Sequence, residues 1–190
     1  MAKIVAITCS PRDNGPSSRI TDAFLDGAMG LSTNIITLHR MIKFKMLGDC
    51  RRCMECKSTG ICTLHDDLTT VLDDIRESDC VVFATPLYFS GPCAMYKVLE
   101  DRMYSFLNKD GTSNLPAGKK AVLIVTNCDP ETDNEAVSAQ MAKNLEKIGF
   151  EMMDIITYCD YKAAKADEPI DKMLSHAKQV GLKMRNTPTV

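Results

Sequence analysis

Four of the nine cysteines in this 190-residue chain fall within thirteen residues, spaced Cys50-x2-Cys53-x2-Cys56-x5-Cys62. Thiolates two residues apart can curl a short loop around one inorganic core, each supplying a ligand, while the fourth closes the cage. The pattern points to a four-iron [4Fe–4S] cluster. Structural zinc usually takes two Cys-x2-Cys pairs set further apart, and a thioredoxin-like dithiol needs only one pair. A loop that holds no metal is the third alternative. Arg51, Arg52 and Lys57 flank the ligands and either offset cluster charge or form a solvated loop. His65, close behind Cys62, could hydrogen-bond a sulfide.

Compared with the bacterial ferredoxin run, the last gap is five residues rather than three, and Thr63 replaces the proline after the final cysteine. No second set of cysteines exists, so Cys62 would ligate the same cluster.

Two other segments carry polar and aromatic groups suited to a cofactor. Cys9-Ser10-Pro11-Arg12-Asp13-Asn14-Gly15-Pro16-Ser17-Ser18 follows a strand-like run and enters a helix. Hydroxyls and free amides at a helix start attract anions, and Arg12 adds a charge-assisted fork. The loop is neither a Walker A motif nor a dinucleotide fingerprint. It suits a single phosphate monoester such as that of FMN, although Ser17 could equally serve as a simple N-cap. Thr85-Pro86-Leu87-Tyr88-Phe89-Ser90-Gly91-Pro92 reads as a loop in which Pro86 fixes the turn and Tyr88 and Phe89 offer flat surface to a flavin ring. Asn127 and Asp129, in a third polar loop, would complete the pocket. Cys9, Cys80, Cys93, Cys128 and Cys159 are isolated and read as core thiols, though Cys93 and Cys128 flank the cofactor loops. His39 and His176 have no catalytic partner spacing, and no Ser-His-Asp or paired-carboxylate set asks for hydrolytic chemistry.

The elements that must position these groups alternate along the chain. Strand patterns cover Lys3–Thr8, Asn34–Leu38, Cys80–Thr85, Ala121–Thr126 and Met152–Tyr158. Helical patterns cover Ser17–Met29, a stretch capped at Asp66-Asp67 and ending near Ser78, Ala94–Leu107, Glu135–Ile148 and Ile170–Met184. Such alternation predicts an α/β fold with a doubly wound, five-stranded parallel sheet in the order 2-1-3-4-5. Ligands of these sheets bind beyond the carboxyl ends of the strands. The long interruption at 39–65 holds the cysteines and interrupts one domain spanning 1–190.

Composition narrows the class. Hydrophobic residues make up 45% and charged residues 25%, and the net charge is −2, so no positive field recommends nucleic acid or an anionic membrane. No apolar run approaches the roughly 20 residues of a membrane span, and the N-terminus lacks a signal-peptide pattern. A cytoplasmic setting, where thiols stay reduced, is expected.

Ser10-Pro11-Arg12 with Asn14-Gly15, the four-cysteine run and Thr85-Pro86-Leu87-Tyr88 together resemble the iron–sulfur flavoprotein family, part of the flavodoxin-like, NADPH-dependent FMN reductase group. The resemblance implies FMN phosphate on Ser10, Arg12, Ser17 and Ser18, and the isoalloxazine against Pro86, Leu87, Tyr88 and Phe89. It also implies a [4Fe–4S] cluster near FMN, a homodimer or homotetramer, a ferredoxin-like electron donor and small acceptors including oxygen and peroxide. Cys9 and Pro16 depart from the family pattern, as does the glycine-poor loop at Asn127. The competing expectations are an NAD(P)H-dependent FMN or quinone reductase with a metal-free cysteine loop, and a zinc-stapled binding module.

Overall fold

The computed structural model describes residues 1–30, 33–45, 47–161 and 170–186; Met46, within the expected insertion, lies outside them. β1 (Lys3–Thr8) leads to α1 (Pro16–Met29), β2 (Ile35–Arg40), α2 (Cys56–Thr59) and α3 (Asp67–Glu77). β3 (Cys80–Tyr88), β4 (Gly91–Pro92) and α4 (Ala94–Arg102) follow, then β5 (Lys120–Asn127), α5 (Asn134–Ile148), β6 (Glu151–Cys159) and α6 (Asp171–Leu182).

The sheet has six strands, not the five expected. Its parallel path runs β2-β1-β3-β5-β6, and β4 sits off that path, paired antiparallel with β3. The extra strand exists because β3 continues past the predicted end at Thr85. Pro86 pairs with Thr126 in the ladder, and the chain reverses only at Phe89-Ser90. Pro86 is therefore a strand residue rather than a turn former. Phe89 and Ser90 take φ of 50° and 59°, the left-handed region that two-residue hairpin turns require.

Alternating side chains fill two cores. Ile4, Ala6, Val82, Ala84 and Ile124 face α1 and α6, while Val5, Ile7, Phe83, Leu123 and Val125 face α3, α4 and α5. That two-sided burial explains the unbroken apolar runs of β3 and β5. In α5, Met141, Leu145 and Ile148 are buried, as their helical spacing requires. Asp66 caps α3 by accepting from the Leu68 amide, and Thr69 answers through its hydroxyl to the Asp66 amide. α4 stops at Arg102 and tightens into a 3₁₀ turn at Met103–Phe106, short of the expected helix end. Among the described residues no helix is long and apolar enough to cross a membrane.

Candidate functional site

The turns after β1, β3 and β5 all emerge at the carboxyl edge of the parallel sheet, the edge at which ligands of such sheets bind. After β1 the backbone folds tightly. Ser10 Oγ accepts from the Arg12 amide and donates to its carbonyl, both at 3.1 Å, and Ser18 Oγ donates to the same carbonyl at 3.2 Å. Gly15 fits against this knot: a Cβ there would lie 3.2 Å from Ser10 Oγ and 3.3 Å from Arg12 Cβ. Gly15, not Ser17, is the N-cap of α1, and no side chain caps the helix. Pro16 occupies the first turn, where a missing N–H costs nothing. Ser17 and Ser18 are buried in that first turn, and the Arg12 side chain is exposed above it.

Along β3 the predicted flavin-loop residues divide by face. Thr85 points inward, its hydroxyl donating to the Pro86 carbonyl at 2.9 Å and lying 3.4 Å from Cys93 Sγ. Leu87 is buried in the core beneath α4. Tyr88 and Phe89 project outward, Phe89 fully exposed at 106%. Ser90 meets Thr132 across 3.3 Å and so ties the hairpin to the β5–α5 turn. In that turn Asn127 donates to the Asp129 carbonyl at 2.8 Å and accepts from Asn134 at 3.0 Å. Asp129 accepts from the Glu131 amide and the Thr132 hydroxyl, so its carboxylate shapes the loop. Asn134 Oδ1 is buried here without a hydrogen-bond partner.

The four clustered cysteines lie between β2 and α3 and line one cavity of about 200 Å³, together with Leu64, Arg102 and Tyr104. Arg52 and Met54, with φ of 52° and 67°, bend the backbone between successive cysteines. Left-handed non-glycine residues carry strain of order 1–3 kcal/mol and persist where the surroundings impose them. Gly60, at φ 73°, ends α2 two residues before Cys62. Burial pushes the Cys56 thiol up; Lys57 opposes this, and Cys62, Cys53 and Cys50 each add to it. The exposed Cys53 thiol is held below its ordinary value by the Glu55 amide and the Thr63 hydroxyl. Among the described residues no three His, Cys, Asp or Glu side chains converge closely enough to hold a single metal ion.

Of the expected flanking cations, Arg51 and Arg52 line this cavity, while Lys57 and His65 do not. Lys57 turns away from the cysteines, donating to the Tyr104 and Leu107 carbonyls and lying 3.4 Å from the Tyr104 ring centre. His65 is exposed. The cation that touches a cysteine is Arg102, forty residues on, whose Nε donates to Cys62 Sγ at 3.1 Å. Spacing gave no sign of it; an arginine closing an otherwise amphipathic helix is the only available hint. Of the isolated cysteines, Cys9, Cys80, Cys93 and Cys159 are buried, but Cys128 is exposed and so is not the core thiol expected. His39 and His176 pair with Asp74 and Asp154, each at 2.7 Å.

The family description "NADPH-dependent FMN reductase" matches residues 2–152. An iron–sulfur flavoprotein of Methanocaldococcus jannaschii is 32% identical over 102 residues, 53% of this chain and 51% of its own length. One from Archaeoglobus fulgidus is 32% identical over 104 residues, 55% of this chain and 46% of its own length. The chain spans about half the length of the curated relatives it matches. Among solved structures, the NAD(P)H:quinone oxidoreductase from Methanothermobacter marburgensis superposes with a TM-score of 0.72 at 17% identity, covering 99% of each chain. An FMN-dependent NADH-azoreductase from Bacillus anthracis, in complex with FMN, gives 0.71 at 12% identity over 98% of this chain and 100% of its own. At those identities the likeness is one of fold, the flavodoxin-like parallel sheet.

Proposed function

Since the chain belongs to the NADPH-dependent FMN reductase family, we propose that it is an iron–sulfur flavoprotein: a cytoplasmic oxidoreductase passing electrons between a [4Fe–4S] cluster and FMN. A ferredoxin-like donor would supply the electrons, and a small acceptor such as oxygen, peroxide or a quinone would take them. The observation that carries this reading is the single cavity lined by Cys50, Cys53, Cys56 and Cys62.

The residues fit both groups. Four thiols lining one cavity of about 200 Å³ can give a multi-atom core its four ligands. On the flavin side, the first turn of α1, free of side-chain caps, and the unpartnered Asn134 Oδ1 at the start of α5 each offer polar groups, both following strands of the parallel sheet. Bound FMN and the cluster would supply the one- and two-electron chemistry.

The chain's own groups do the rest. Ser10, Arg12, Ser17 and Ser18 would hold the phosphate through hydroxyls, amides and one guanidinium. Pro86, Tyr88 and Phe89 would bear on the ring, with Thr85 and Leu87 fixing the strand beneath them. Asn127 and Asp129 hold the β5–α5 turn beside it, and Asn134 offers the free acceptor. Residues 39–65 would then be a cluster-binding insertion in a single FMN domain of 1–190, working as a homodimer or homotetramer.

Anaerobic purification with iron, sulfide and FMN quantified tests the reading. Equal iron and sulfide in the ratio a four-iron core demands, with FMN bound, is expected. A colourless protein holding zinc, or a yellow one without iron, would refute it. The family description favours a second reading in which NAD(P)H reduces the flavin directly and the cysteine loop holds no metal. Flavin bleaching by NADPH at an unchanged rate in Cys53→Ser would select it.

A further inference from the structure

Arg102 is the largest fully buried side chain in the described structure, with 1% of its surface exposed. It closes α4, the helix that begins directly after the flavin hairpin. All its donors are placed. One terminal nitrogen donates to the Gly48 carbonyl at 2.8 Å and to Asp66 Oδ2 at 2.7 Å; the other donates to the Leu64 carbonyl and to Asp66 Oδ1, both at 3.2 Å. Four of five donors thus pin the two ends of the cysteine segment to α3 and α4. The fifth, Nε–H, goes to Cys62 Sγ.

We infer that Arg102 is the positioning residue that fixes Cys62 as the fourth ligand and raises the reduction potential of the cluster bound there. This rests on the iron–sulfur reading above. Reduction adds an electron whose charge is shared with the ligand sulfurs, and a hydrogen bond to sulfur favours the more negative state. Sulfur is a weak acceptor as a thiol and a much stronger one as a thiolate. Asp66 cancels most of the guanidinium's charge at a distance, so the directed Nε–H bond carries the effect. Removing Asp66's charge would expose the cation and push the potential further up.

The test is a spectroscopically monitored reductive titration of the full-length, anaerobically purified protein, with iron and sulfide assayed in each sample. Arg102→Gln should lower the midpoint by at least a tenfold change in the oxidised-to-reduced ratio at fixed potential, about 59 mV for a one-electron couple. Arg102→Lys should fall between Arg102→Gln and the wild type. Asp66→Asn, which keeps Arg102 and an N-capping side chain, should move the midpoint upward. Unchanged midpoints at wild-type iron content, or shifts of the same sign in Arg102→Gln and Asp66→Asn, would overturn the inference. A merely structural anchor predicts no such opposition of sign. Should Arg102→Gln fail to hold iron, Asp66→Asn decides alone: a rise supports the inference, and no change or a fall overturns it. A wild type without iron refutes the iron–sulfur reading itself, a distinct outcome.

Discussion

Helices α1 and α6 approach so closely that an added methyl group has nowhere to go. A Cβ built on Gly27 falls 2.2 Å from the Lys178 carbonyl oxygen, and one on Gly181 falls 2.1 Å from the Phe24 carbonyl oxygen. Both obstacles are backbone, so no rotamer change relieves them, and each contact is roughly 1 Å short of ordinary separation. Gly27→Ala would gain about 1 kcal/mol of helix propensity. Against that stands overpacking of about 1–3 kcal/mol in a face that also seats Ile20, Phe24, Ala177 and Val180. The clash should win because neither helix can move without opening that core. We expect a net loss of up to about 2 kcal/mol and, at roughly 2–4 °C per kcal/mol for a chain of this size, a melting point lowered by up to about 8 °C. Thermal melts and urea titrations of wild type and variant measure it. A displaced α1 also carries Ser17 and Ser18 with it, so FMN affinity should fall in the same protein. A melting point at or above wild type would refute the claimed helix spacing.

Three further outcomes are expected. Burial pushes the Cys80 thiol from 9.0 up to about 12; a folded-state value above the unfolded one gives stability that is intact below pH 9 and lost as pH climbs toward 12, by up to about 4 kcal/mol. Urea titrations at pH 7 and pH 10.5 should therefore show a steeper loss in wild type than in Cys80→Ala. Phe89→Gly should raise stability by about 1 kcal/mol by relieving a left-handed non-glycine residue, while FMN binding, read by flavin fluorescence, weakens several-fold through loss of about 0.5–1.5 kcal/mol of ring contact. Asp66→Ala should cost about 3–5 kcal/mol in chemical denaturation, since it strips the buried Arg102 of its counter-charge.

The alternation of elements was legible because the inner strands β1, β3 and β5 are buried on both faces and the helices on one, which writes distinct periods into the residues. Asp66 announced α3 because a capping carboxylate acts within three residues of itself. The hairpin was not legible. Proline after Thr85 suggested a turn, yet Pro86 pairs in the ladder with Thr126. The true turn falls on Phe89 and Ser90, two residues whose types argue against positive φ. One of the loop cations misled for a related reason. Lys57 is next to Cys56 in sequence, but the carbonyls of Tyr104 and Leu107 compete for its ammonium and win. Arg102 reaches Cys62 only through the packing of α4 on the cysteine segment, a contact with no local signature.

α4 begins beside the β3–β4 hairpin at Ala94 and ends on Arg102, nine residues with no irregularity between. It therefore works as a ruler, holding hairpin and cysteine loop about 12 Å apart along its axis. One residue inserted into α4 would turn Arg102 through about 100° and lengthen the helix by about 1.5 Å, breaking the five hydrogen bonds that pin the cysteine segment. The length of this helix should accordingly resist insertion and deletion far more than its exposed residues resist substitution.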